Sequence, residues 1–213
     1  GEADVRLPNG QYSYVAHKEC YQGEPVNFQV DGGRVVMNHK TMARVIIRVV
    51  DNAGVGRSGY LVRTYDADGV PQWRQVSTGS GRTAFSLDLL ENYLFSVERN
   101  RLQGPRYPVT EGVLCGPTEV RYTLATVAVH VQDAAGTDLG GYQVRVRRPD
   151  GTVHIYGFTR PDGVATLYLV EGEYFYQVGK WGVWRDAGVF TVAPPAGGPG
   201  GVADDQRIEY VFE

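Results

Sequence analysis

Along most of the chain, apolar and polar residues alternate with a period of two, the spacing of a strand with one face buried. Thr126-Val127-Ala128-Val129-His130-Val131 alternates in this way, and Asp133 to Gly136 then supplies turn residues. Tyr142-Gln143-Val144-Arg145-Val146-Arg147 alternates again and stops at Pro149-Asp150-Gly151. Further strands are expected at Val153 to Phe158, Val164 to Leu169, Tyr174 to Val178, Phe190 to Val192 and Ile208 to Phe212. Pro161-Asp162-Gly163, Glu171-Gly172 and the Gly/Pro-rich stretch Ala193 to Gly201 separate some of them. Some seven short strands in about 90 residues, with a turn every 8–12, predict an immunoglobulin-like β-sandwich. No window carries a helical period with caps.

The pattern repeats. Asp51-Asn52-Ala53-Gly54 and Asp133-Ala134-Ala135-Gly136 lie 82 positions apart. The same spacing joins Gly59-Tyr60 to Gly141-Tyr142, Val62-Arg63 to Val144-Arg145, Asp68-Gly69 to Asp150-Gly151, Gly81 to Gly163 and Leu87 to Leu169, without a gap. Turn glycines and strand apolars stay in phase, as they do in structural repeats. At an offset of 162, close to twice the first, Leu7, Gly10, Tyr12, Tyr14, Phe28 and Val30 match Leu169, Gly172, Tyr174, Tyr176, Phe190 and Val192. Residues 41–122 and 123–213 therefore read as two full repeats. Residues 1–40 read as the second half of another, so that the chain starts mid-repeat and ends at a repeat boundary.

Leu7-Pro8-Asn9-Gly10-Gln11-Tyr12 and Leu169-Val170-Glu171-Gly172-Glu173-Tyr174 share the form L-x-x-G-x-Y, and Leu89-Leu90-Glu91-Asn92-Tyr93 is a shortened version. In Greek-key sandwiches a tyrosine at such a corner hydrogen-bonds back to the backbone and pins the connection between sheets. Tyr12, Tyr93 and Tyr174 are read as corners of this kind.

Asp133-Ala134-Ala135-Gly136, Gly141-Tyr142-Gln143-Val144, Pro149-Asp150-Gly151, Asp162-Gly163-Val164-Ala165 and Leu169 to Tyr174 together resemble carboxypeptidase-regulatory-like and collagen-adhesin B-type repeats. These are prealbumin-like sandwiches of bacterial surface proteins, stalks and pilins. The resemblance covers both full repeats and the partial one. It implies an all-β chain of tandem immunoglobulin-like (prealbumin-like) sandwiches, secreted or at the cell surface. Members of these families often carry an internal Lys–Asn isopeptide bond with the lysine on an early strand. Here the repeat 123–213 has only Lys180, late in the unit, and Lys40 opens the repeat 41–122 without an evident partner on its last strand. No isopeptide bond is expected in the repeat 123–213.

Composition removes some classes of function. The net charge is −3, so no basic surface offers itself to nucleic acid. No apolar stretch approaches the roughly 18 residues that span a bilayer, and no stretch reads as a signal peptide, as expected of a mature form or a fragment of something longer. Only Lys18, Lys40 and Lys180 of the 21 basic residues are lysines, a bias in usage and not a binding feature. Cys20 and Cys115 form no CxxC and have no histidine cluster near them, which excludes a redox or zinc motif. They are candidates for one disulfide, within or between chains, or for two buried thiols.

Residues in catalytic or metal-binding patterns are equally sparse. His17, His39, His130 and His154 show no metal-ligand spacing, and His130 reads as a surface or edge residue on its strand. No serine sits in a G-x-S-x-G elbow, and Gly79-Ser80-Gly81-Arg82-Thr83 lacks the lysine and helix of a phosphate loop. Asp66, Asp68, Asp150, Asp162, Asp204 and Asp205 cluster in turns, but without the spacing of a calcium loop. No catalytic residue, metal or cofactor is expected, and the chain is not expected to be an enzyme. The aromatics Trp181, Trp184, Tyr174 and Tyr176, with Trp73 and Tyr107 in the other repeat, are the one candidate for a ligand surface. Of these, Trp181 and Trp184 are the candidates for stacking on a sugar ring.

Two readings of function follow. In the first, the chain is a structural subunit of a surface filament, pilus or stalk. Residues 1–40 offer Val5 to Leu7, Tyr12 to Ala16, Phe28 to Val30 and Val35 to Met37 but lack the first strands of the fold, leaving open edges and an apolar face. A neighbouring copy could complete it by strand addition, and such head-to-tail contacts build open filaments. Alternatively, residues 1–40 pack on the repeat that follows. In the second reading, the chain is a carbohydrate-binding or adhesion module whose partner is a glycan or matrix protein.

Overall fold

The computed structural model describes residues 5–18, 21–22, 24–33, 35, 42–88, 91–100, 102–109, 118–199, 201–203 and 205–212, and their regular structure is entirely β-strand. Strand β1 (Gly10–Tyr14) pairs antiparallel with β4 (Val26–Val30). Between them the short strands β2 (His17–Lys18) and β3 (Tyr21–Gln22) pair with each other.

The next strands are β5 (Met42–Val50), β6 (Leu61–Tyr65), β7 (Pro71–Val76), β8 (Arg82–Asp88), β9 (Leu94–Arg99), β10 (Leu102–Gln103), β11 (Tyr107–Pro108) and β12 (Thr118–Thr123). They form two sheets, β12-β5-β8 and β10-β9-β6-β7, with β11 also on β9. Alternate residues of both sheets meet in one core that holds Val45, Ile47 and Val49 from β5, Val62 from β6, Phe85 and Leu87 from β8, and Phe95 and Val97 from β9. Each such buried side chain contributes roughly 1.5–3 kcal/mol.

The architecture then recurs. Strands β13 (Ala125–Gln132), β14 (Gln143–Arg147), β15 (Val153–Phe158), β16 (Val164–Leu169), β17 (Gly172–Lys180), β18 (Val183–Val192) and β19 (Gln206–Val211) form the sheets β16-β13-β19 and β15-β14-β17-β18. Their core joins Val127, Val129 and Val131 to Val144, Val146, Leu167, Leu169, Tyr174, Tyr176 and Val178. In both cases the last strand lies parallel to the first, β12 on β5 and β19 on β13.

Hydrogen bonds keep the 82-residue spacing seen in the sequence. Asp51 N donates to Val55 O, as Asp133 N does to Thr137 O. Ser77 Oγ donates to Arg57 O, as Thr159 Oγ1 does to Leu139 O. Both central hairpins slip register at matching positions, between Thr64 and Tyr65 and between Val146 and Arg147. Gly81 (φ +78°) and Gly163 (φ +70°) show why glycine recurs at this turn. A Cβ would meet Val49 O at 2.1 Å in the first and Val131 O at 2.7 Å in the second, besides the strained backbone.

Candidate functional site

The two sandwiches meet at a junction built from the corner Tyr168-Leu169-Val170-Glu171. Val170 is fully buried in the first core although it follows a strand of the second sandwich. Next to it Glu171, 8% exposed, accepts from Tyr107 Oη at Oε1 (2.8 Å) and from Tyr122 Oη at Oε2. Burial, followed by the Glu171 carboxylate, pushes both tyrosines far above the usual phenol range, so they stay protonated donors. Tyr60 Oη donates to Tyr168 O at 2.7 Å, and the Arg57 guanidinium lies 3.5 Å over the Tyr168 ring.

Two further contacts flank this centre. On one side the Asn52 amide donates to Ala203 O (2.6 Å) and Asp205 Oδ1 (2.5 Å) and accepts from Ala203 N (3.1 Å). On the other, Asn100 Nδ2 donates to His154 O and Arg148 Nη2 to Asn100 O. His154 is 1% exposed and neither ring nitrogen has a hydrogen-bond partner. Desolvation, with the nearby Arg148 and Arg99 charges, holds its pKa down to about 4. The sequence reading missed Glu171 as a junction residue. Its one signal is a carboxylate set between the apolar pair Leu169-Val170 and a turn glycine.

Two of the three corner tyrosines make the same bond. Tyr12 Oη donates to Pro8 O at 3.0 Å and Tyr174 Oη to Val170 O at 2.9 Å. Tyr93 differs: its oxygen accepts from Asp88 N at 3.3 Å and donates to Glu91 Oε2 at 3.0 Å. Leu89, four residues before Tyr93, lies outside the described residues, and burial pushes the Tyr93 phenol up to about 12. Around Tyr12 the likeness to the second sandwich extends to whole strands. Gly10↔Val30, Tyr12↔Phe28 and Tyr14↔Val26 reproduce Gly172↔Val192, Tyr174↔Phe190 and Tyr176↔Gly188 at a constant spacing of 162. The Tyr12–Phe28 ring centroids are 5.7 Å apart and those of Tyr174–Phe190 5.5 Å. Among the described residues β1 and β4 form a sheet of two strands, whereas β17 and β18 belong to a sheet of four. Accordingly Tyr174 and Tyr176 are buried, while Tyr12, Tyr14 and Phe28 are half-buried.

The candidate stacking aromatics part company. Tyr174 and Tyr176 belong to the core, and Tyr107 to the junction. Trp181 and Gly182 form the two-residue turn between β17 and β18, both with positive φ (50° and 86°), and Trp181 is 91% exposed. Trp184 lies over Gly179, where a Cβ would meet its Cε3 at 2.6 Å, and the Arg145 guanidinium stacks 3.5 Å from its ring centroid. Its ring is thus already stacked within the sheet. Phe158 and Tyr156 stand exposed on the same sheet, opposite Gln143 and Arg145 in register. Beside them opens a cleft of about 310 Å³ lined by Gln143, Arg145, Phe158, Lys180, Trp181 and Trp184.

Other expected residues are placed as follows. His130, read as a surface or edge residue, lies on the central strand of its sheet and is largely buried, a correction to the sequence reading. Its two ring nitrogens each sit 2.7 Å from a carboxylate, Glu209 and Asp138, which reward the burial. Cys20, Cys115 and Lys40 lie outside the described residues. Among the described residues no group of three or more His, Cys, Asp or Glu is arranged to hold a metal ion.

No protein-family model matches the chain, and no curated protein matches it either. Among solved structures the chain is similar to a shaft pilin of Lactobacillus rhamnosus GG, at 10% identity and a TM-score of 0.34, over 81% of this chain and 98% of the pilin. It is also similar to a minor pilin of Streptococcus agalactiae, at 10% identity and a TM-score of 0.37, over 80% of this chain and 94% of the other. A third similarity is to the Bacillus anthracis TIE protein, at 16% identity and a TM-score of 0.31. It covers 97% of this chain, which spans 42% of that structure's length.

Proposed function

We propose that the chain is a structural, non-enzymatic segment of an extracellular surface filament, pilus or stalk, built from the sandwich units 41–122 and 123–213 and extended head to tail through strand contacts at the β1–β4 hairpin. The observation that carries this reading is the residue-for-residue match of β1–β4 to β17–β18. That hairpin has the strand register and the tyrosine corner of a sandwich half, and an aromatic face that the rest of a sandwich would bury. A two-stranded ribbon is marginal in water, so strands added to its edge and layers to its face gain both hydrogen bonds and apolar burial. The junction at Glu171 supports a load-transmitting role, since hydrogen bonds and a shared apolar residue fix one sandwich on the next.

The extracellular location rests on the resemblance of the repeats to surface-protein sandwiches. A disulfide between Cys20 and Cys115 belongs to the same proposal, within one chain or between neighbours. Thiol alkylation without reductant tests it: protected thiols support the bond, and full alkylation removes it. For assembly, the test is Phe28→Lys, which places a charge on the hairpin's aromatic face. The proposal expects this variant to lose self-association in analytical ultracentrifugation while its main thermal transition is unchanged. Self-association equal to the parent's would refute the hairpin as the contact.

A further inference from the structure

We infer that the cleft beside the β17–β18 turn is a binding site for an acidic glycan, with Arg145 receiving the carboxylate of a uronic-acid ring. The inference does not depend on how the chain assembles.

The internal repeat supplies the comparison. Arg63 and Arg145 occupy matching places on β6 and β14. In the first sandwich Arg63 Nη2 is neutralised by Glu98 Oε2 at 3.1 Å. The strand position that holds Glu98 opposite Leu61 is held in the second sandwich by Gly179, opposite Gln143. Removing the carboxylate does two things. It leaves Arg145 with no ion pair among the described residues, and it makes room for the Trp184 ring to lie flat over Gly179. Arg145 then stacks on that ring at 3.5 Å, and its Nε donates to Gln143 Oε1 at 3.2 Å. The guanidinium is fixed at one face and at Nε, and among the described residues its Nη groups make no hydrogen bond, which leaves them for a ligand. A fork held in this way suits a planar carboxylate, because two parallel charge-assisted hydrogen bonds form with little further loss of freedom.

The surroundings fit the rest of such a sugar. Lys180 adds a second cation to the cleft; its Nζ is 3.2 Å from Gly140 O and 4.8 Å from the Trp181 ring centroid. Among the described residues no carboxylate lines the cleft. The acid nearest on that sheet face in register, Asp186, already accepts from Gln177 Nε2 at 2.6 Å. Trp181 and Phe158 present open aromatic surface at the rim, which suits the apolar face of a pyranose ring. A volume near 310 Å³ lies at the small end of ligand clefts, roughly 300–1,000 Å³, as expected for one or two sugar rings on a longer chain. The strained turn also points to use: a bulky aromatic held at φ 50° in water gains nothing from the core. Of the two candidate stacking tryptophans, Trp181 is therefore the one that meets the ligand, and Trp184 positions Arg145.

The test is calorimetric titration of the whole chain with a trigalacturonate, a hyaluronate tetrasaccharide, the trigalacturonate methyl ester, neutral cellotriose and an acidic peptide of equal charge. At least one of the two uronates is expected to bind, with the ester, cellotriose and the peptide at least tenfold weaker. Arg145→Gln and Trp181→Ala should each weaken that binding by roughly tenfold to a hundredfold, the cost of losing one or two charge-assisted or stacking contacts. Arg145→Lys should fall between, since it keeps the charge without the fork, and Arg63→Gln should change nothing. Trp181→Ala, exposed, should keep the parent's thermal midpoint. Absence of uronate binding, equal binding of acid and ester, preference for the peptide, or parent-like binding by Arg145→Gln would each overturn the inference.

Discussion

Tyr12 and Tyr174 stand 162 residues apart and close the same corner, each donating to the carbonyl oxygen four residues earlier, Pro8 or Val170. Only their burial differs. Tyr174 is wholly enclosed, so its hydroxyl has no water to fall back on. Tyr174→Phe should lower the stability of the second sandwich by about 1–2 kcal/mol, the worth of a buried hydrogen bond whose carbonyl is left unpaired. Tyr12→Phe should leave the main unfolding transition unchanged, because the hairpin's corner is half in water. Urea denaturation followed by tryptophan fluorescence measures both. Equal losses would mean that the hairpin is already covered in the isolated chain.

Glu171 ties two tyrosines of one sandwich to the corner of the next. Glu171→Ala strands the Tyr122 hydroxyl in the interior, takes the partner from the half-buried Tyr107, and should cost about 2–4 kcal/mol. It should also free the sandwiches to bend about their junction. Small-angle scattering is the direct check: the parent should show one extended shape, and the variant a broader distribution of end-to-end distances. An unchanged profile with unchanged stability would show that Val170 and the Asn52 contacts suffice.

Two histidines give the stability opposite pH dependences. His154 titrates near 6.5 when unfolded and near 4 when folded. Its stability is therefore complete above pH 6.5 and is lost as pH falls toward 4, by about 3 kcal/mol in all. His130 is raised by the Asp138 hydrogen bond, and by Glu209, so its contribution is complete below 6.5 and is lost as pH rises through its folded value. His154→Phe should flatten the acid side of the stability profile and leave the alkaline side alone. Thermal midpoints between pH 4 and 8 test this. An acid limb as steep in the variant as in the parent would assign the loss to other groups.

The strands were legible because alternation and turn glycines are local: Val127, Val129 and Val131 point inward for the same reason that they alternate. The offset of 82 carries through to the strands, where β6 and β14 coincide to the residue. What could not be read were the contacts between units. Glu171 sits in a turn like any surface acid, and only the folded chain brings Tyr107 and Tyr122 to it. Trp181 and Trp184 look equivalent by spacing, yet a two-residue turn sends one into water and lays the other over Gly179. His130 was misread for a related reason, because its partners Asp138 and Glu209 come from a loop and from a strand 79 positions away.

Head-to-tail growth through the β1–β4 hairpin is tested most directly by electron microscopy of the native chain purified without reductant. Ordered fibres with a constant axial repeat are expected, with density from a neighbouring copy over Tyr12, Tyr14 and Phe28. Isolated two-lobed particles under every assembly condition, or fibres whose contacts lie away from that hairpin, would contradict it.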